Sequence, residues 1–199
     1  VPGGSAELGT LNLGTDNSGA SSSVEGGQLL VTGPIVLGRQ SSSNRGGALR
    51  VTGGTFISND TARGVVVTGR ANNVGQLNLL GGVSLINRIT LGLDATVNAG
   101  TSSVTLNGGT LYLGSGGIVK DGAAGLNSSV TLTNGVLGAR DGWRTGHPVA
   151  VSAGGNVEIR TANAGANAFD ISLDGVVSGS GSLTKTGAGT LALNAENSF

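Results

Sequence analysis

The chain has 199 residues, enough for one domain with a continuous core, and 37% of them are apolar, which excludes simple disorder. Cysteine and methionine are absent and aromatics make up 3%, so the core must be aliphatic; 39 glycines with only 3 prolines and no three-residue period exclude collagen and point to turns. The 11 basic and 11 acidic residues balance to zero and are scattered, without the basic stripe that a phosphate backbone requires, and no run approaches the ~20 apolar residues that span a bilayer.

Neither a nucleic-acid partner nor a direct membrane span is therefore expected. Val1 opens without a charged region followed by an apolar stretch, so the chain reads as a mature or excised segment of a longer one. Zero cysteine suits a bacterial extracellular protein and a cytosolic one alike.

Short alternating runs follow one another along the chain. They begin at Leu11-Asn12-Leu13 and continue through the frames Gly27-x-Leu29-x-Val31-x-Gly33, Gly47-x-Leu49-x-Val51-x-Gly53 and Gly75-x-Leu77-x-Leu79-x-Gly81. "SSVTL" stands at Ser102 to Leu106 and again at Ser128 to Leu132, with Gly109-x-Leu111-x-Leu113 between; Val157-Glu158-Ile159-Arg160 and Leu191-Ala192-Leu193 close the series. Like frames recur at unequal intervals, so the repeating unit is constant in kind and irregular in length. Period-two alternation puts one face in a core and the other in water, so Leu113 should point inward and Tyr112 outward.

No ten-residue stretch has capped helical spacing, so helix should be almost absent. Two topologies suit such strands, a right-handed parallel β-helix and an antiparallel sandwich. Asn107-Gly108, Asp121-Gly122, Asn134-Gly135, Asp141-Gly142 and Asp174-Gly175 are spaced too unevenly to join successive hairpins, whereas the repeated frame favours a coil. The expected fold is all-β, a right-handed parallel β-helix (β-solenoid) with irregular 20–34-residue repeats and almost no helix, forming a single domain over residues 1–199. One coil alone gains roughly 6–12 kcal/mol from about four buried aliphatic side chains. Fixing its backbone costs on the order of 20–40 kcal/mol, so stability must come from neighbouring coils.

Asp170 to Phe199, "DISLDGVVSGSGSLTKTGAGTLALNAENSF", resembles the autotransporter-associated β-strand repeat, also called the passenger-associated transport repeat. That family reads in outline Gly-Val-Ile-Ser-Gly-x-Gly, then Leu-x-Lys-x-Gly-x-Gly-Thr-Leu, then Leu-x-Gly-x-Asn-x-Tyr. Gly175, Gly179, Gly181, Leu183, Lys185, Gly187, Gly189, Thr190, Leu191 and Leu193 fall on the pattern, and Asn194 to Phe199 departs from its exit. Over this stretch the resemblance implies a right-handed β-helical passenger, secreted and displayed on the bacterial cell surface. It implies no activity, since the family includes adhesins, proteases, self-associating proteins and plain stalks. The expected role is a non-enzymatic extracellular structural segment, a β-helical stalk or fibre element that self-associates or adheres, with no cofactor. Its expected partners are itself, stacked head to tail, or further coils of the same polypeptide, with surface glycans as an alternative.

Chemistry concentrates in one stretch, Arg140 to Pro148, "RDGWRTGHP", which holds the only Trp and the only His. A carbohydrate-binding reading stacks Trp143 on a pyranose face, with Arg140, Asp141, Arg144 and His147 bonding hydroxyls. A carbohydrate-active enzyme there would need a second convergent group, such as paired carboxylates about 5–10 Å apart, and the sequence offers none. The plainer reading is a longer loop, with Trp143 packed on the wall and Pro148 starting the next strand.

Lys185 reads as an amphipathic stem over one face of the coil. No helix pattern follows the Gly179-x-Gly181 and Gly187-x-Gly189 pairs, so they lack the context of a phosphate cradle. Asp121, Asp141 and Asp174 precede glycines as turn residues do, outside any calcium nonapeptide. His147 alone makes no metal site, and the serines, lying in polar turns, suggest no Ser-His-Asp set.

Overall fold

The computed structural model describes residues 3–14, 19–39 and 46–199, and none of these is helical. β1 (Ser5–Leu8), β2 (Leu11–Leu13) and β3 (Ala20–Val24) form the three sides of one coil. β4 (Gln28–Val31), β5 (Ile35–Leu37) and β6 (Gly46–Val51) repeat those sides, as do β7 (Thr55–Ser58), β8 (Val65–Val67) and β9 (Asn73–Leu79). From here strands turn corners without a break. β10 (Val83–Leu91) covers the first and second sides, β11 (Gly100–Lys120) the third and then both of the next coil's first two, and β12 (Asn127–Ala139) a third and a first. β13 (Trp143–Thr145) is a second side, β14 (Val149–Arg160) a third and a first, β15 (Ile171–Leu173) a second, β16 (Val177–Gly179) a third, β17 (Ser182–Thr186) a first and β18 (Leu191–Leu193) a second.

Every pairing between these strands is parallel. On the first side Ser5, Gln28, Thr55, Val83, Thr110, Val136, Glu158 and Thr184 are successive register partners, one from each coil. The third side runs through Leu49, Leu77, Val104 and Val130, and then pairs Val149 with Val177. The second side runs through Leu11, Ile35, Val65, Ile89 and Ile118, and continues as a separate three-stranded sheet through Trp143, Ile171 and Leu191. This is a parallel β-solenoid, as the alternating frames predict. The frames themselves fall on two sides: those at 27–33 and 109–113 are on the first, those at 47–53 and 75–81 on the third. Their uneven offsets therefore mix steps along a side with steps around a coil.

One hydrophobic cluster runs from Leu13 to Val177. Its columns can be read off the register: Ala6, Leu29, Phe56, Ser84, Leu111, Leu137 and Ile159 stack on the first side. Phe56 is the largest fully buried side chain, and Ser84 opposite it is small, so the bulk of one rung is offset by the next. Ser84 Oγ is buried with no hydrogen-bond partner among the described residues, a cost of about 1–3 kcal/mol for fitting the phenyl ring.

The corner between the third and first sides is built of glycine. Gly27, Gly54, Gly82 and Gly109 each immediately precede a first-side stretch, with φ of 68°, 68°, 65° and 67°. A Cβ on Gly82 would lie 2.5 Å from the Gly54 carbonyl oxygen, so coil rests on coil through backbone alone.

Tyr112 corrects one expectation. It points outward from β11, yet it is buried, because its ring covers Gly138 of the next coil and its hydroxyl oxygen accepts a 2.9 Å hydrogen bond from Arg160. A glycine in the neighbouring coil turns an outer position into a packed one.

Candidate functional site

The five residues singled out around Trp143 do not converge. Arg140 is half-buried at the corner after β12, and both its terminal nitrogens lie 3.4 Å from Asn59 Oδ1, a contact that spans several coils. The Asp141 carboxylate accepts the Gly142 N–H at 2.8 Å and closes a local turn. Trp143 is only 4% exposed, part of the core, and its indole N–H donates to Gly138 O at 3.1 Å. Trp143 is packed into the wall, as the plainer reading has it, and only a small part of its surface reaches the groove on this face.

Arg144 leaves the same strand on the outer side. Its Nε and a terminal nitrogen reach Asp174 Oδ2 at 2.9 and 2.7 Å. Asp174 Oδ1 accepts from Ser172 at 2.8 Å and from Asn194 at 2.6 Å, so three successive rungs are joined through one carboxylate. Hydrogen bonds from Asn194 and Ser172, with the Arg144 guanidinium, hold this carboxyl at about 2. It is a fully occupied anion, unsuited to proton transfer near neutrality. An open groove of about 500 Å³ runs over this face, lined by Ser115, Trp143, Arg144, Asp170, Ser172 and Thr190. Asp170 there accepts the Thr190 N–H at 2.7 Å.

The other residues weighed from sequence have structural partners. Asp121 is ion-paired with Arg88 at 2.8 Å, beyond the turn role expected for it. Lys185 stands opposite Ile159 in register, is exposed, and donates to Gly187 O at 2.8 Å. The repeat glycines pack on the previous coil: a Cβ at Gly179 would meet Val151 O, and one at Gly189 would meet Phe169 O. Among the described residues, no group of three or more His, Asp or Glu is placed to hold a metal ion.

One constellation was missed from sequence. "HPVAV" at His147 to Val151 lies in the same frame as "SSVTL" at Ser128 to Leu132, with Thr131 opposite Ala150 and Leu132 opposite Val151. That register stacks His147 on Ser128, and Ser128 Oγ lies 2.9 Å from His147 Nε2. His147 Nδ1 lies 2.7 Å from the Pro148 carbonyl oxygen, which can only accept, so Nδ1 carries the proton and Nε2 accepts from the Ser128 hydroxyl. Burial between the coils holds the imidazole below its usual range, and the nearby Lys120 charge acts in the same direction against the Pro148 contact. A cavity of about 350 Å³ opens beside the pair, with Lys120, Ser129, Val130, Val149 and Ser178 in its lining. Aligning the two frames by their Val130 and Val149 positions would have revealed the pair.

Comparison with protein-family models, with curated proteins and with solved structures gives no match to this chain.

Proposed function

We propose that the chain is a structural segment of a bacterial extracellular protein, a β-helical stalk or fibre element that extends by stacking coil on coil. The observation that carries this reading is where its large exposed apolar side chains stand. Leu8, Leu193 and Phe199 belong to the first and last coils and Val176 to the coil before the last, while the column between them is closed. Among the described residues, Leu8 lies on β1, whose one partner strand is β4, and Leu193 lies on β18, whose one partner strand is β15, so each is on an outward sheet edge. Unpaired edges over an apolar column are natural templates for another coil, and zero net charge puts little long-range repulsion in the way. Further coils of a longer polypeptide, or a second copy added head to tail, would cover them. The second contact is heterologous and propagates as a filament. Location at the cell surface rests on the likeness of residues 170–199 to passenger repeats.

Light scattering and negative-stain microscopy of the 199-residue chain across concentration test the reading. Rods that lengthen with concentration are the expected result. A strictly monomeric particle, with both outermost coils protected from hydrogen exchange, would overturn it.

A further inference from the structure

We propose that Ser128 is an activated nucleophile, with His147 as its general base, in a small acyl-ester site on the third side of the solenoid. Three independent features meet there. The first is the nucleophile–base contact, Ser128 Oγ to His147 Nε2 at 2.9 Å, within the reach that proton transfer needs. The second is an orienting group: the Pro148 carbonyl, 2.7 Å from Nδ1, selects the tautomer that leaves Nε2 free to accept. A backbone oxygen thereby does for the ring what a carboxylate does in a Ser-His-Asp triad. The third is space. The cavity of about 350 Å³ has the nucleophile and base on its wall, with Pro148 and Ala150 supplying apolar surface.

Lys120 is the one cation in that lining. Its ammonium donates to Leu126 O at 2.9 Å, which fixes the side chain while two protons remain to be shared. Placed there, it faces charge that develops on a carbonyl oxygen. Its charge acts on the imidazole, whose hydrogen-bonded side-chain partner Ser128 is neutral; Arg144, which lines the adjoining groove with His147 and Lys120, is ion-paired with Asp174.

The chemistry is acyl transfer. Ser128 Oγ attacks the ester carbonyl carbon as its proton passes to His147 Nε2. Collapse of the tetrahedral adduct breaks the bond to the alkoxy oxygen, which leaves with that proton as an alcohol. Water, deprotonated by the same imidazole, then releases a carboxylic acid and restores the hydroxyl. The cavity size and the small apolar surface of Pro148 and Ala150 suit short-chain acyl esters. Such a site adds a covalent activity to the structural role proposed above and does not depend on it.

A fluorophosphonate probe tests the assignment on the whole chain, with the labelled peptide located by mass spectrometry. Label is expected on Ser128, absent in Ser128→Ala. It should form ~100-fold or more slowly in His147→Gln, which keeps a hydrogen-bond acceptor toward Ser128 but no base. In the native chain the labelling rate should fall as pH drops through a midpoint below the usual ~6.5 of histidine. No label, label on another serine, an unchanged rate in His147→Gln, or a rate flat with pH down to about 4.5 would each overturn the proposal. Circular dichroism of both variants confirms that they fold, and the pH profile needs no variant at all.

Discussion

At the corner leading into each first-side strand, coil meets coil through main chain only. Gly82 sits on Gly54 and Gly109 on Gly81, with positive φ at Gly82 and Gly109, and no side chain intervenes. On the second side of the last coils side chains add to the backbone ladder: Arg144, Ser172 and Asn194, from three rungs, all end on Asp174. The difference concerns what each contact can tolerate. A backbone seat has no rotamers and no slack, so it sets the rise from coil to coil and admits nothing larger than hydrogen. A hydrogen-bonded network at the surface can rearrange or exchange with water, so it adjusts the fit without deciding the fold.

The apolar column that both regions enclose sets the upper bound on any substitution. Leu113 is fully buried in it, and Leu113→Asp should cost about 4 kcal/mol or more, enough to abolish cooperative unfolding, because an unpaired carboxylate has no partner there. Chemical denaturation followed by far-UV circular dichroism reads this directly. If it unfolds no more readily than an exposed variant, the columns are not the source of stability.

The glycine corner comes next and can be separated into strain and collision. Gly82 and Gly154 have similar φ, 65° and 71°, but a Cβ on Gly82 would lie 2.5 Å from Gly54 O, whereas one on Gly154 meets nothing within 4 Å. Gly154→Ala should therefore cost only the left-handed strain, about 1–2 kcal/mol, and Gly82→Ala about 2–4 kcal/mol, from the same strain plus the clash. Equal urea midpoints for the two would show that the backbone seat relaxes, removing the contrast with the Asp174 face.

Tyr112→Ser should fall in the same range, about 2–3 kcal/mol, through lost cover over Gly138 and the lost Arg160 contact. Thermal melts of this variant beside Gly82→Ala place a side-chain seat on the scale of a backbone one. A shift under about 1 °C would mean the ring swings free in solution.

Tyr112 also marks how far the sequence could be read. Period-two runs such as Leu111-Tyr112-Leu113 reveal strands and faces because alternation is local, and they led to an all-β parallel coil with negligible helix. They do not reveal what stands one coil away, since that neighbour is a full turn further along the chain and the loops vary in length. Gly138 of the next coil under the Tyr112 ring and Ser128 of the previous coil against His147 are both relations that alternation within one strand cannot show. The paired glycines at 26–27, 53–54, 81–82 and 108–109 carry the register that was needed, because each pair marks the same corner. Their spacing of 27–28 residues is what would have set the first-side frames apart, since Gly46-Gly47, which opens a third-side frame, falls outside it. The candidate ligand residues failed to converge for a related reason: neighbours within "RDGWRTGHP" alternate between wall and solvent, so contiguity in sequence disperses them in space.

The smallest effect belongs to the Asp174 network, and pH is the way to isolate it. Asp174 titrates at about 2 in the folded chain, chiefly through hydrogen bonds from Asn194 and Ser172 and then Arg144, against ~3.9 when unfolded. A folded pKa below the unfolded one gives stability that is complete above about pH 4 and is lost as pH falls toward 2. Glu158, lowered by hydrogen bonds from Arg160 and Thr186, acts in the same direction and stays intact in Asp174→Asn. The native chain should therefore lose stability more steeply than Asp174→Asn between about pH 4 and pH 2, and the two urea-midpoint curves should converge at the acid end. Above about pH 5 their separation should be constant and small, because the carboxylate is at the surface and its contacts exchange with water. Parallel curves throughout would place the acid sensitivity at Glu158 or elsewhere. A separation above pH 5 as large as that of Gly82→Ala would show that the side-chain face decides the fold as firmly as the glycine corner does.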